Sequence, residues 1–245
     1  MSENIYGIHA VNSILANSPE RLIEVFVLKG REDKRLQALL NELYGLGIAV
    51  QFVNRQTLDK KSNGEVHQGV IARVQEAKEL NEHDLDELLT RKQNPLLLVL
   101  DGVTDPHNLG AIIRTAECAG AHGVVIPKRR SAGLTSVVAK TSAGAVSYVP
   151  VARVPNIPAL LEQLQKEGVW VFGTAAEGAG DLYSADLKGP AAIVIGSEGD
   201  GMTRLVREKC DFLVSIPMKG SISSLNASAA AAILLYEAVR QRLGQ

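Results

Sequence analysis

The chain has 245 residues, of which 46% are hydrophobic and 22% charged, so it is long enough for one or two domains with real cores. Its 26 basic and 27 acidic residues nearly balance, which excludes a strongly basic nucleic-acid-binding protein but allows local basic patches. With only 2 cysteines, a disulfide framework and a cysteine-rich zinc site are excluded, and a reducing compartment is favoured.

The first 75 residues alternate between short apolar runs and helix-length periodic segments. This pattern predicts strands at 25–28, 48–53 and 69–74, and helices at 34–44 and 56–60. Residues 76–90 are polar and acidic and carry no strand signal. We therefore expect a first domain over 1–75 and a linker over 76–94, with room for a short helix at 80–89.

The second part of the chain, 95–245, shows the same alternation with longer helices. Strands are predicted at 96–100, 123–126, 169–173, 191–195 and 212–216. Helices are predicted at 109–119, 135–141, 157–167, 203–209 and 225–242. Continuous apolar strands are covered on both faces, so the sequence predicts an α/β fold with mostly parallel sheets.

Several common features are missing from the sequence. The amino terminus lacks the basic and apolar regions of a signal peptide, and no apolar run approaches the roughly 18 residues of a membrane span. We therefore expect a cytoplasmic protein with no membrane partner. The dinucleotide, P-loop, zinc-hydrolase and C-x-x-C motifs are absent, and the 5 histidines have no ligand spacing, so no metal is expected.

Three polar segments follow predicted strands, at the carboxyl ends where open α/β sheets place their ligands. In the first, 101–114, Asp105 and Pro106 are suited to begin a helix, and Asn108 and Arg114 lie close enough to that start to bind a phosphate. The simpler interpretation is a helix start without function.

The other two segments are 196–202 and 215–228. The first has three glycines around Glu198, which permits close backbone approach to a ligand or a flexible strand–helix loop. The second is rich in serine and asparagine and runs into an alanine-rich helix, where Ser223 or Ser224 is the expected N-cap. It is either a polar binding segment or the capped start of a core helix.

Together, DPHNLGAIIR, IGSEGDGM and SIPMKGSISSLNASAA resemble motifs 1, 2 and 3 of the SpoU (TrmH-type) branch of the SPOUT RNA methyltransferase superfamily. The phrases YGIHAV, FVLKGREDKR and HQGVIARV resemble the substrate-binding domain of bacterial rRNA ribose methyltransferases. The resemblance implies a small L30e-like α/β domain for RNA over 1–75. It also implies a catalytic α/β domain with a deep trefoil knot over 95–245.

The resemblance further implies S-adenosylmethionine as cofactor and methylation of the ribose 2′-hydroxyl of a guanosine in 23S rRNA. A tRNA guanosine 2′-O-methyltransferase and an inactive RNA-binding module are the alternatives. The resemblance also implies which residues bind the cofactor and which are catalytic. The backbone of Gly196, Ile216 and Leu225 surrounds the cofactor. The catalytic set is Asn108, Arg114, Glu198, Ser224 and Asn226.

The chemistry of arginine limits the role of Arg114. A guanidinium stays protonated in proteins, so proton abstraction from the 2′-hydroxyl is costly. We therefore expect Arg114 to bind the neighbouring phosphate, while Asn108, Glu198 and Asn226 orient the hydroxyl.

Two further expectations concern partners. The basic clusters 29–35 and 128–130 lie at predicted strand ends and are suited to RNA phosphates, although either could be a solvated face. The helix at 225–242 carries more apolar surface than one side of a domain needs, and members of the resembled family dimerise through this domain. A homodimer through the C-terminal domain is therefore expected.

Overall fold

The computed structural model describes residues 2–31, 33–75, 79–90, 92–176 and 179–243. The chain divides into two compact units, Met1–Lys78 and Glu79–Gln245. Within the described ranges, no helix combines the length and apolar character needed to span a bilayer.

The first unit is a four-stranded sheet with helices on both faces. Its strands are β1 (Ser2–Tyr6), β2 (Leu22–Leu28), β3 (Ala49–Val53) and β4 (Val70–Gln75). Its helices are α1 (Ile8–Asn17), α2 (Lys34–Gly45) and α3 (Arg55–Ser62). The strand order is β1-β4-β2-β3, and only the β2–β3 pair is parallel. Apolar side chains of α1 and α2 pack with the sheet in one cluster, and Leu58 of α3 packs with Phe26 and Ile71 in another.

The expectation of mostly parallel sheets is wrong for this unit. Strand β4 lies between β1 and β2 and pairs antiparallel with both. Its apolar run shows that its faces are covered, but coverage does not fix the direction of the neighbouring strands. Two further elements were not predicted. They are β1, whose SENIY segment has no apolar run, and α1, which begins after Gly7.

The second unit is built on a seven-stranded sheet. Its strands are β5 (Leu96–Asp101), β6 (Gly123–Pro127), β7 (Val151–Val154), β8 (Trp170–Thr174), β9 (Gly180–Asp181), β10 (Ala191–Gly196) and β11 (Phe212–Ser215). Its helices are α4 (Glu82–Thr90), α5 (Pro106–Cys118), α6 (Ser136–Thr141), α7 (Ile157–Lys166), α8 (Arg204–Glu208) and α9 (Ala227–Arg242). The strand order is β7-β6-β5-β10-β8-β11-β9, and every neighbouring pair is parallel, which confirms the parallel sheet for this unit.

The segment predicted as a linker over 76–94 lies partly within this second unit. Leu80 forms a parallel bridge to Ala152, beside the sheet edge at β7. Leu85 and Leu89 of α4 are buried in the core cluster on that face. The polar composition of this segment reflects the solvent-facing side of α4, whose other side is apolar. Residues 76–78 and 91 lie outside the described residues.

Candidate active site

The three motif segments meet at the carboxyl edge of the parallel sheet. Strands β5 and β10 are neighbours, and Asp101 at the end of β5 pairs in register with Gly196 at the end of β10. Segment 101–114 leaves the first strand and 196–202 leaves the second. Helix α9, which follows the third segment, packs against α5. Parallel pairing therefore brings together segments that are about ninety residues apart in the chain.

Glu198, Asn108 and Asn226 form one hydrogen-bonded group, with one residue from each segment. Glu198 Oε1 accepts hydrogen bonds from Asn108 Nδ2 at 2.6 Å, from Asn226 Nδ2 at 2.8 Å and from the Ala227 N–H at 3.4 Å. Asn226 Nδ2 also donates to Asn108 Oδ1 at 3.0 Å. Asn108 is buried, while Glu198 and Asn226 are exposed. One carboxylate oxygen thus joins the three segments and leaves Glu198 Oε2 without a partner among the described residues.

The local structure around Asn226 differs from the sequence-based expectation. Its Oδ1 accepts from the Ser228 N–H at 2.9 Å, so Asn226 is the N-cap of α9. Neither Ser223 nor Ser224 has that role, and α9 begins at Ala227 rather than at 225. Ser224 is exposed and lies two residues before the cap. The structure does not connect it to the Glu198 group by any described hydrogen bond.

Arg114 lies on the same helix as Asn108 but does not contact the Glu198 group. It is exposed, and its guanidinium has no hydrogen-bond or ion-pair partner within the part of the chain that the structure describes. Six residues of α-helix separate it from Asn108, which corresponds to a rise of about 9 Å and a rotation of about 240°. An exposed arginine without an internal partner is available for an external anion.

The turn that carries Glu198 is tightly folded. Ser197 and Gly201 form an antiparallel bridge, and Gly199 and Gly201 both have left-handed φ, at 93° and 69°. A Cβ added at Gly196 would lie 2.1 Å from backbone atoms of Gly201 and Met202, so only glycine fits there. The glycines of this segment therefore build a tight turn that is closed by the bridge between Ser197 and Gly201.

Asp101 is a residue of the site that the sequence analysis did not select. It is buried, and its Oδ2 accepts from the Thr203 N–H at 2.6 Å. This bond ties the far end of the Glu198 turn to the end of β5. An acidic residue directly after a continuous apolar strand was the signal that could have found it.

The residues expected at the cofactor lie around the same edge. Gly196 ends β10, Ile216 follows β11 and packs partly against the core, and Leu225 is two residues before α9. Backbone groups of 217–225 form no hydrogen bonds with other backbone groups in the described chain. Their N–H and C=O groups are therefore available to an adenosine, which is a ligand that main-chain groups bind well.

Two other kinds of site were considered near the motifs, a cysteine nucleophile and a metal centre. Burial, followed by the nearby charges of Asp211 and Asp101, raises the pKa of the Cys210 thiol to about 12, so it is not a nucleophile at neutral pH. No group of three or more histidine, cysteine, aspartate or glutamate side chains suited to a metal ion occurs among the residues described.

Positive charge lies along the same sheet edge. Residues 128–130, Lys-Arg-Arg, directly follow β6, which neighbours β5, and all three are exposed. The carbonyl of Arg130 lies 4.0 Å from the Cβ position of Gly102, beside the start of the first motif segment. This arrangement is suited to phosphates that approach the Glu198 group.

Comparison with known proteins agrees with this geometry. The model of the SpoU rRNA Methylase family matches residues 95–236, and a model described as RNA 2′-O ribose methyltransferase substrate binding matches residues 4–80. The chain is 68% identical over 245 residues, covering 100% of both chains, to the 23S rRNA (guanosine-2′-O-)-methyltransferase RlmB of Haemophilus influenzae.

Two solved structures are also similar over nearly the whole chain. The SpoU methyltransferase AviRb from Streptomyces viridochromogenes, in complex with the cofactor AdoMet, has a TM-score of 0.83 and 28% identity and covers 99% of this chain and 91% of its own. An AdoMet-bound rRNA methyltransferase from Sinorhizobium meliloti has a TM-score of 0.80 and 25% identity, and covers 98% and 87%.

Proposed function

Because this chain belongs to the SpoU rRNA methylase family, we propose that it transfers a methyl group from S-adenosylmethionine to the ribose 2′-hydroxyl of a guanosine in 23S rRNA. The observation that carries this proposal is the Glu198 group, in which one carboxylate oxygen joins all three motif segments. The relative that is 68% identical over the full length has this activity in its name.

The residues around the sheet edge fit S-adenosylmethionine. The backbone of Gly196, Ile216 and Leu225 would hold the adenosine, since residues 217–225 offer main-chain N–H and C=O groups that bond to no other backbone group in the described chain. When bound, the cofactor supplies an electrophilic methyl group. The known structures with bound AdoMet share this fold over 98% or more of the chain, which supports the assignment.

The catalytic task of the chain is to orient the 2′-hydroxyl and to stabilise its developing negative charge. Three N–H donors hold Glu198 Oε1, so the carboxylate is fixed in position and Oε2 can accept the hydrogen of the hydroxyl. Asn108 and Asn226 keep that orientation. Arg114, which has no internal partner, binds the phosphate next to the reacting ribose through charge-assisted hydrogen bonds. Ser224 would contact the same substrate from the third segment.

Three finer features form part of the proposal. The segments of motifs 2 and 3 form the deep trefoil knot, which is supported by the hydrogen bonds from Asn226 and Ala227 to Glu198 and by the return of α9 to α5. The protein needs no metal, because methyl transfer from a sulfonium proceeds by direct displacement. It acts in the cytoplasm, in agreement with a ribosomal RNA substrate and two free cysteines.

The test is methyl transfer to 23S rRNA that lacks modification, with unmodified tRNA as the competing substrate. We expect one 2′-O-methylguanosine in 23S rRNA and none in tRNA. Glu198→Gln should retain the fold, because an amide oxygen can still accept the three hydrogen bonds, but should lower the rate at least about tenfold through loss of the charge. Methylation of tRNA alone, or of neither RNA, would contradict the proposal.

The protein would act as a homodimer formed by the C-terminal domain. Ile222 is 75% exposed, and Leu225 and Tyr236 are also exposed, so apolar surface remains around the third motif segment and α9. Light scattering at micromolar concentration should give twice the chain mass. Ile222→Asp should produce the monomer, and Val66→Asp, at an equally exposed apolar position of the first unit, should not.

A further inference from the structure

The first unit contains a cavity of about 510 Å³ that is separate from the motif residues. It lies between the segment after β2, helix α3 and the segment 63–69 that leads into β4. Its lining includes Arg31, Arg55, Asp59, His67 and Gln68. This volume is within the range of small-ligand sites, and the lining combines two cations, Arg31 and Arg55, with two carboxylates, Asp59 and Glu65.

The wall of the cavity formed by 63–69 has an unusual backbone. Gly64 and Gly69 have left-handed φ without strain, and Asn63 is the left-handed C-cap of α3, so the strained residue is Gln68, at φ 49°. The segment is nevertheless fixed, because the Arg31 guanidinium donates to the Gln68 carbonyl and the Val70 N–H donates to the His67 carbonyl at 2.9 Å. Backbone strain that the surrounding structure holds in place is characteristic of binding sites.

His67 fixes the orientation of the Asp59 carboxylate. Its ring is buried, and Nδ1 accepts a hydrogen bond from the Gly69 N–H at 3.0 Å. Nε2 must therefore carry the proton of the neutral ring, and it donates to Asp59 Oδ1 at 2.9 Å. Asp59 itself is 57% exposed, and its Oδ2 has no partner within the described residues. The result is a pre-oriented carboxylate at the surface of the cavity.

The chemistry of this carboxylate selects among nucleobases. On its Watson–Crick edge, guanine presents two adjacent donors, N1–H and N2–H, which match the two oxygens of a carboxylate. Oδ1 can accept a second hydrogen bond because each carboxylate oxygen has two lone pairs. Adenine and cytosine present a donor beside an acceptor, and uracil presents a single donor between acceptors. Arg55 and the remaining guanidinium nitrogen of Arg31 are suited to a phosphate.

We propose that this cavity binds an unpaired guanosine nucleotide of the substrate RNA, with the base on Asp59 and the phosphate on Arg31 and Arg55. The inference rests on the proposed function, because RNA is the expected ligand of this unit. Sequence-specific RNA recognition commonly uses unstacked bases of this kind.

The test measures binding of the intact chain to three single-stranded RNA pentanucleotides, UUGUU, UUAUU and UUIUU, by fluorescence anisotropy. The inosine in the third lacks the N2 amino group. We expect UUGUU to bind about tenfold more tightly than UUAUU, and UUIUU to lose most of that preference. Equal affinity of the wild-type chain for all three pentanucleotides would overturn the proposal.

Variants assign the preference to the cavity. Asp59→Asn should abolish the discrimination between UUGUU and UUAUU, whereas Glu42→Gln, an equal charge change at an exposed position of α2, should preserve it. Arg55→Gln should weaken the binding of UUGUU and UUAUU equally and reduce the salt dependence of binding. A guanosine preference that survives in folded Asp59→Asn would place the site elsewhere and overturn the proposal.

Methyl transfer separates this inference from the proposed function. Asp59→Asn should raise the KM for 23S rRNA and leave kcat and S-adenosylmethionine affinity unchanged. If the wild-type chain methylates 23S rRNA but shows no guanosine preference in the pentanucleotides, only the cavity proposal is wrong. If it prefers UUGUU through Asp59 but does not methylate 23S rRNA, only the proposed function is wrong.

Discussion

At the scale of single residues, Glu198 does two things with one carboxylate. Its Oε1 accepts three N–H donors and holds three distant segments together, and this bonding also fixes the orientation of Oε2. The residue that organises the site is therefore also the one suited to accept a hydroxyl hydrogen.

Arg114 should control the chemical step rather than cofactor affinity. Arg114→Ala removes a charge-assisted interaction with the substrate phosphate, so we expect a loss of about 3 kcal/mol in transition-state stabilisation, on the order of a hundredfold in rate. Arg114→Lys should not restore the rate, because an ammonium cannot reproduce the planar fork. Single-turnover methyl transfer and calorimetry of S-adenosylmethionine binding measure the two quantities.

The control for Arg114 is Lys166→Ala, which removes an exposed cation from α7. Lys166→Ala should change neither the rate of methyl transfer nor the affinity for S-adenosylmethionine. A near-normal rate in Arg114→Ala would show that Arg114 is an ordinary surface arginine, since the structure gives it no internal partner.

His122 should make stability depend on pH. Burial, then the charges of Lys92 and Arg242, lowers the pKa of His122, whose Nδ1 accepts from the Leu96 N–H at 3.1 Å. Below about pH 6.5 the unfolded chain binds a proton here more readily than the folded chain does, so the unfolding free energy should fall as pH decreases from about 7.5. Below the lowered folded pKa, this contribution should level off.

Urea denaturation at several pH values measures this dependence. His122→Asn keeps an acceptor for Leu96 but cannot titrate, so its stability should depend less on pH between about 7.5 and 5.5 than that of the wild type. The control is His9→Asn at an exposed position, which should have the same dependence of unfolding free energy on pH as the wild type. An unchanged slope in His122→Asn would contradict the assignment.

At the scale of elements, the turn after β10 depends on the absence of a side chain at Gly196. In Gly196→Ala, the Cβ would collide with the backbone of Gly201 and Met202 at 2.1 Å. Backbone cannot move aside as a flexible side chain can, so we expect a loss of about 3 kcal/mol in unfolding free energy and displacement of Glu198. Thermal unfolding and methyl-transfer rate should both decrease.

The matched control is Gly189→Ala, because a Cβ there meets nothing within 4 Å. This variant should unfold and react like the wild type. If Gly196→Ala also behaved like the wild type, the close approach of Gly201 and Met202 to Gly196 would not be needed for the site.

Elements with a long apolar pattern could be predicted from the sequence. The strand predicted at 96–100 is observed at Leu96–Asp101, because a continuous aliphatic run has one reasonable structure in a covered sheet. Strand β7 was not predicted because its short VARV segment has no continuous apolar run. Helix α5 begins at Pro106 rather than at 109, because its first turn is polar and lacks the apolar pattern. The motif residues could be named, but periodicity does not show which side chains meet. The separation of Arg114 from the Glu198 group therefore became visible only in three dimensions.

At the scale of the whole molecule, the two units have separate hydrophobic cores. The clusters of the first unit contain residues from 8 to 74, and those of the second contain residues from 85 to 238. Each core is closed by its own sheet and helices. Separate cores indicate that each unit can fold without the other.

Two fragments that differ only at the amino-terminal boundary of the second unit should differ in stability. Fragment 79–245 retains Leu80, which bridges to Ala152, and Leu85 and Leu89, which are 0% and 5% exposed. Fragment 95–245 begins where the sequence analysis placed the catalytic domain and lacks all three residues. Burial of two leucine side chains contributes about 4 kcal/mol, so 79–245 should be more stable by about that amount. Urea denaturation measures the difference, and calorimetry should show S-adenosylmethionine binding by 79–245. Equal stability of the fragments would mean that α4 packs on the sheet without stabilising it, and the boundary would then belong near 95.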